Sequence, residues 1–89
     1  MKNKKIIINN KLGLHARAAA KFVRIASGFQ SEIIIHLGSH EVSGKSIMGI
    51  MMLAAGKGTE INIITIGPDE NEAMTSLEDL IINKFGEPE

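Results

Sequence analysis

Residues 10–22 read Asn10-Lys11-Leu12-Gly13-Leu14-His15-Ala16-Arg17-Ala18-Ala19-Ala20-Lys21-Phe22, a passage where one kind of secondary structure gives way to another. Upstream, Lys4 to Asn9 holds three consecutive isoleucines and runs into a pair of asparagines, the composition of a strand ending in a turn. Downstream, apolar residues recur at Ala19, Phe22, Val23 and Ala26, which is the spacing of one helix face. A helix is therefore predicted over Ala16–Ser27, closed by Gly28 in the left-handed position that commonly ends helices. His15 then stands at or next to the N-cap. There, unpaired backbone N–H groups and the positive end of the helix dipole make a ready anion site.

Working outward, Glu32–Leu37 reads as a second strand, Gly38-Ser39 as a two-residue, glycine-first turn, and His40–Ser43 as a short third strand. Ser46 is placed to cap a short helix from Ile47 to about Ala55, which Gly56 and Gly58 end, and Glu60–Ile66 is a fourth strand. Pro68 and Asp69 open a last helix. Asp69 with Glu72 is predicted to form a capping box, and Ala73, Leu77, Leu80 and Ile81 make its buried stripe. The order is β-α-β-β-α-β-α, an α+β chain. Strands one and two, joined through a helix, run in the same direction and leave room for strand four between them, antiparallel to both. Three amphipathic helices, with polar residues alternating on strands two and four, favour helices on one face of the sheet and solvent on the other.

Composition narrows the function. Eighty-nine residues predict one small domain, 1–89, that buries roughly 60–65% of the surface its unfolded chain exposes. Lys plus Arg equals Asp plus Glu at 10 each, and aromatics are limited to three Phe, so neither a basic field nor stacking platforms invite nucleic acid. The absence of cysteine rules out disulfides and thiolate metal sites. No apolar run suits a membrane span, and the isoleucines after Met1–Lys5 are too few for a secretory signal, so the expected compartment is the cytoplasm. Three further features lead nowhere. Gly44-Lys45-Ser46 lacks the earlier glycine of a phosphate-binding loop, because Ser39 stands at that position. His36 and His40 flank the hairpin turn without an accompanying carboxylate-histidine cluster, so no metal site is expected. The acidic Glu87-Pro88-Glu89 reads as a frayed end.

The chemistry gathers at His15. A histidine at a helix mouth can be a plain turn residue, but the arginine two residues later changes its reading. A first-turn arginine opposes the helix dipole by roughly 0.3–1 kcal/mol, a cost that a bound phosphoryl group reverses, because the guanidinium fork suits its oxygens. An imidazole nitrogen is a competent nucleophile toward phosphorus.

The run Asn10–Arg17 resembles the active-site signature of the HPr family, the histidine phosphocarriers of the bacterial phosphoenolpyruvate-dependent sugar phosphotransferase system. Gly44-Lys45-Ser46-Ile47-Met48-Gly49-Ile50-Met51-Met52-Leu53 resembles the stretch around that family's regulatory serine, at the same distance from the histidine. The two blocks are in register in a chain of the family's length. The resemblance implies an open-faced β-sandwich with a four-stranded antiparallel sheet, strand order 1-4-2-3, covered on one face by three helices. It implies that His15 takes a phosphoryl group on Nδ1 from phosphorylated enzyme I and gives it to a histidine of a IIA component. Arg17 would stabilise the group and the backbone of Ala16, Arg17 and Ala18 would cradle it, with no resident cofactor. A monomer is implied.

Ser46 admits two readings, a bare helix cap or a regulatory phosphorylation site for an HPr kinase/phosphorylase. Ile47, Met48 and Met51 likewise read either as core or, by resemblance, as a docking patch flanked by Ala20, Lys21, Arg24 and Lys45. One residue departs from the family pattern: Ala18 stands where proline is usual after the arginine, which frees Arg17 to be helical. Two other functions fit parts of the chain. One is the carrier of the nitrogen-related branch of the same system; the other is a ferredoxin-like module that binds a metabolite without covalent change.

Overall fold

The computed structural model describes all 89 residues. Four strands, β1 (Lys2–Ile7), β2 (Glu32–Leu37), β3 (His40–Ser43) and β4 (Glu60–Ile66), form one sheet in the order β1-β4-β2-β3. Every neighbouring pair is antiparallel. Helices α1 (Ala16–Ala26), α2 (Ile47–Met52) and α3 (Glu70–Ile82) complete the β-α-β-β-α-β-α order, and a 3-10 turn, Lys84–Gly86, follows α3. The expected open sandwich is the observed one.

Alternation along the central strands decides which face is covered. Ile33 and Ile35 on β2 and Ile61 and Ile63 on β4 are buried beneath the helices, where they meet Phe22, Ile50, Leu77 and Ile81 in one continuous core. Each such side chain contributes about 1.5–3 kcal/mol through loss of apolar surface from water. On the other face Ile34 pairs with Ile64 and His36 with Asn62, all only half-buried.

Several boundaries differ from the sequence reading, each for a local reason. β1 spans Lys2–Ile7 instead of Lys4–Asn9, because its register with β4 runs from Lys2↔Thr65 to Ile7↔Glu60. Helix α1 closes without a left-handed glycine: Ser27 is right-handed, and tight bonds from Gly28 N–H to the Ile25 carbonyl and from Phe29 N–H to the Ala26 carbonyl finish the turn. Helix α2 stops at Met52, short of Ala55. Ala54 turns left-handed, at φ 53°, and this frees the Ala55 carbonyl to accept from Leu14 N–H at 2.9 Å, beside His15.

The capping box predicted at Asp69 and Glu72 does not form. Asp69 makes no side-chain bond to its own helix. Its carboxylate accepts instead from Gln30 N–H and Ser31 N–H, both at 2.9 Å, and from the Ser31 hydroxyl. Of the predicted α3 stripe, Ala73, Leu77 and Ile81 are buried and Leu80 is half-buried, with Met74 an unforeseen core member. The hairpin turn matches its reading, with Gly38 at φ 60° as its first residue.

Candidate functional site

The turn entering α1 is built before the histidine arrives. Asn10 is fully buried, and its side-chain amide donates to the Gly13 carbonyl at 2.8 Å. Gly13 adopts φ 67°, and a Cβ there would meet the Ala55 carbonyl oxygen and the Gly56 Cα. Leu14 is buried in the core just before the helix starts.

His15 is the N-cap of α1, with extended backbone angles. Its Nδ1 accepts from Arg17 N–H at 3.3 Å, so the imidazole does what a serine or aspartate cap does elsewhere. Helix hydrogen bonding proper begins with Ala19 N–H, which donates to the His15 carbonyl at 2.8 Å. The Ala16 and Ala18 N–H groups of the first turn have no partner among the turn and cap bonds. Of the three backbone groups named as a cradle, two are therefore uncommitted and the third, Arg17 N–H, meets the ring.

Arg17 is exposed, and its guanidinium enters no ion pair. It lines an open cleft of about 310 Å³ together with Lys11, Leu12, Glu87, Pro88 and Glu89. As a helix residue two positions past the cap, it takes the geometry that Ala18, in place of proline, permits.

The largest departure from the sequence reading is at the far end of the chain. Glu87-Pro88-Glu89 is not frayed. Glu87 Oε2 lies 2.5 Å from His15 Nε2, and the Asn10 amide donates to Glu87 Oε1 at 3.0 Å. The Glu87 side chain is only 9% exposed, against 24% for His15. Burial alone would raise the Glu87 carboxyl, but the hydrogen bonds from Asn10 and His15, with charge from His15 and Lys21, hold it below its ordinary value. Nearby, Lys11 N–H donates to the Glu89 carbonyl and its ammonium pairs with the Glu89 side chain at 3.3 Å. Lys21 Nζ donates to the Phe85 carbonyl at 2.6 Å, and Phe85, left-handed at φ 57°, is buried in the core.

The second predicted block stands on α2. Ser46 caps it, its hydroxyl accepting from Gly49 N–H at 3.0 Å, while Ile50 turns into the core. Ile47, Met48 and Met51 are 41%, 69% and 39% exposed, so the surface reading of these side chains holds over the core reading. Met52 and Leu12 add to the exposed apolar surface and were not foreseen. Arg24 and Ala20 are on α1, exposed and half-buried respectively. Lys45, like Lys21, is tied to a carbonyl, that of Phe29 at 2.8 Å. His36 pairs across the hairpin with Glu41 at 2.9 Å; His40 stands opposite Leu37 and so faces the other side.

A helix-capping imidazole two residues before an arginine free of ion pairs, on an open-faced sheet of this strand order, suits a small carrier of phosphoryl groups. Comparison with known proteins bears out that class. Residues 2–83 match the family model described as the PTS HPr component phosphorylation site. The chain is 56% identical to the phosphocarrier protein HPr of Neisseria meningitidis over the full length of both. It is 54% identical to that of Cupriavidus necator over 82 residues, 92% of each. Its fold superposes on the crystal structure of HPr-C-His from Thermoanaerobacter tengcongensis with a TM-score of 0.96, at 48% identity and full coverage of both chains. This chain belongs to the HPr family and is a phosphocarrier of the phosphotransferase system. No helix is long and apolar enough to cross a membrane.

Proposed function

We propose that Nδ1 of His15 is the atom that carries the phosphoryl group. The observation behind this reading is the division of labour between the two ring nitrogens: Nε2 is occupied by Glu87, while Nδ1 faces the α1 N-terminus through a long, 3.3 Å contact with Arg17 N–H. A donor that meets Nδ1 before transfer is within reach of a phosphoryl oxygen after it, beside the uncommitted Ala16 and Ala18 N–H groups. Arg17, free of any ion pair, supplies a mobile countercharge for a group passing between two proteins.

Phosphorylated enzyme I is the donor and a IIA component the acceptor, which makes this cytoplasmic chain a covalent intermediate in phosphotransfer and not an autonomous catalyst. Ile47, Met48 and Met51 form the apolar part of the shared docking surface, bordered by Ala20, Lys21, Arg24 and Lys45. Ser46, at the cap of α2, is the regulatory site for an HPr kinase/phosphorylase; a dianion there meets a helix start, where negative charge is tolerated.

The test is intact mass at neutral pH after incubation with phosphoenolpyruvate and enzyme I. The wild-type chain gains one acid-labile phosphoryl group, about 80 Da, and His15→Ala gains none. Equal labelling of the variant would remove His15 from the role.

A further inference from the structure

We propose that Glu87 is a positioning residue for phosphotransfer, holding the His15 ring by its Nε2–H and keeping that proton on the ring through the transfer cycle. This rests on the reading of His15 Nδ1 as the phosphoryl acceptor. The geometry is built for the task from three separate parts of the chain. Phe85, buried and left-handed, fixes the place where the chain leaves α3 and returns toward α1. Asn10, fully buried, holds one oxygen of the Glu87 carboxylate at 3.0 Å while its amide also braces the Gly13 carbonyl of the turn before His15. The second oxygen is then left with the imidazole, at 2.5 Å. A carboxylate already hydrogen-bonded on one oxygen and largely withdrawn from water has little freedom to swing away from the ring.

The chemical consequence follows from electron counting. The Nδ1 lone pair forms the new N–P bond as the donor's N–P bond breaks, its electron pair remaining on the donor's nitrogen. The ring, still carrying its Nε2 proton, is then cationic. On onward transfer an acceptor histidine attacks phosphorus and the N–P electron pair returns to Nδ1. If Nε2 has kept its proton, the departing group is a neutral imidazole; if that proton has been lost, it is an imidazolate anion, a far poorer leaving group. A carboxylate against Nε2–H favours the first route. The other charged groups around the pair are Arg17 and Lys21 of α1, Lys11 of the preceding turn, and Glu89. None of them contacts Nε2.

The experiment compares wild type, Glu87→Gln, Glu87→Asp and, as control, Glu72→Gln, an exposed carboxylate of α3 far in sequence from the site. Each is loaded by phosphoenolpyruvate and enzyme I, and phosphoryl transfer to a IIA component is followed by intact mass between about pH 6 and pH 8.5. Glu87→Gln keeps an acceptor oxygen but no charge; its onward transfer at the alkaline end is expected to slow by about tenfold, the scale of one lost charge-assisted hydrogen bond. The deficit shrinks toward pH 6, where protons are more abundant. Glu87→Asp recovers part of the rate, and Glu72→Gln matches wild type. Independently, the unphosphorylated wild-type protein shows a strongly downfield Nε2–H proton resonance that moves upfield in Glu87→Gln. Transfer by Glu87→Gln at the wild-type rate across the range, a slowing independent of pH, or the absence of the downfield resonance in wild type would overturn the assignment. Failure of the underlying reading is separately visible, as phosphoryl gain in His15→Ala.

Discussion

Replacing Gly13 by alanine tests whether the turn before His15 is held by the close approach described above. Two penalties combine there. The first is conformational: alanine at φ 67° loses about 1–2 kcal/mol relative to a right-handed or extended residue. The second is steric, since the new Cβ would stand 2.7 Å from the Gly56 Cα and closer still to the Ala55 carbonyl oxygen, both of them backbone atoms. Relief requires the turn to move away, at an overpacking cost of about 1–3 kcal/mol, and it stretches the 2.9 Å bond from Leu14 N–H to the same Ala55 carbonyl, worth about 1 kcal/mol. The sum is about 3–6 kcal/mol, against a total stability of about 4–13 kcal/mol for a chain of this length. Gly38→Ala is the internal control, since Gly38 has nearly the same φ, 60°, with nothing within 4 Å of its would-be Cβ. It should lose only the conformational part. With no Trp or Tyr in the chain, urea unfolding is best followed by far-ultraviolet circular dichroism, with the slope checked for constancy between variants. If the two substitutions cost the same within about 0.5 kcal/mol, the proposed contact with the Ala55–Gly56 backbone is wrong.

Two further outcomes follow from the helix starts. Ser46→Ala removes the acceptor for Gly49 N–H and is expected to lower stability by about 1 kcal/mol, a fall in Tm of about 4–8 °C; Ser46→Asp keeps an acceptor and should remain close to wild type by the same thermal melt. Asp69 is held below its ordinary value of 3.8, first by the Ser31 hydroxyl and then by Gln30 N–H, with burial working in the opposite direction. A carboxyl lowered in the folded state contributes stability that is complete above the unfolded value and lost as pH falls through the folded one. Asp69→Asn should therefore flatten the fall of the urea midpoint as pH drops below 3.8, and an unchanged slope would contradict the carboxylate's bonding to Ser31 and Gln30.

The Asp69 case shows where local pattern reading stops. The spacing to Glu72 is that of a capping box, and the helix does begin where the pattern puts it. What the pattern omits is competition: three donors from the loop ahead of β2, 38 or 39 residues away, claim the same carboxylate. The Gly38 turn carried no such ambiguity, because its donors, acceptors and left-handed residue all lie within the hairpin. The placement of His15, Arg17 and Ser46 at helix starts was legible for the same reason, because the neighbouring residues define each start. The strand order was not legible from periodicity, which says which residues face the core but not which strands are neighbours; resemblance supplied it. Glu87 lay beyond both. It is 72 residues from His15, in a short acidic stretch whose composition is that of a solvated end, and only the burial of Phe85 and Asn10 brings it to the ring.

That distribution of signals bears on Ala18. A proline in its place would fix φ within the first turn of α1 and bias Arg17 away from helical angles, and so tune the site from inside the helix. Here that restraint is missing, Ala18 is buried, and Arg17 is an ordinary helical residue. The ring is nevertheless held at both nitrogens, by Arg17 N–H within the helix and by Glu87 from outside it. The turn beneath is held by Asn10 and by the Ala55 carbonyl. Rigidity at His15 thus comes from three segments distant in sequence, β1's exit, α2's exit and the chain after α3, converging on one helix start. Arg17 is the exception, fixed in backbone but unpaired in side chain. That combination suits the roles proposed above, a nucleophile whose position does not depend on its partner and a countercharge that moves with the group as it enters and leaves.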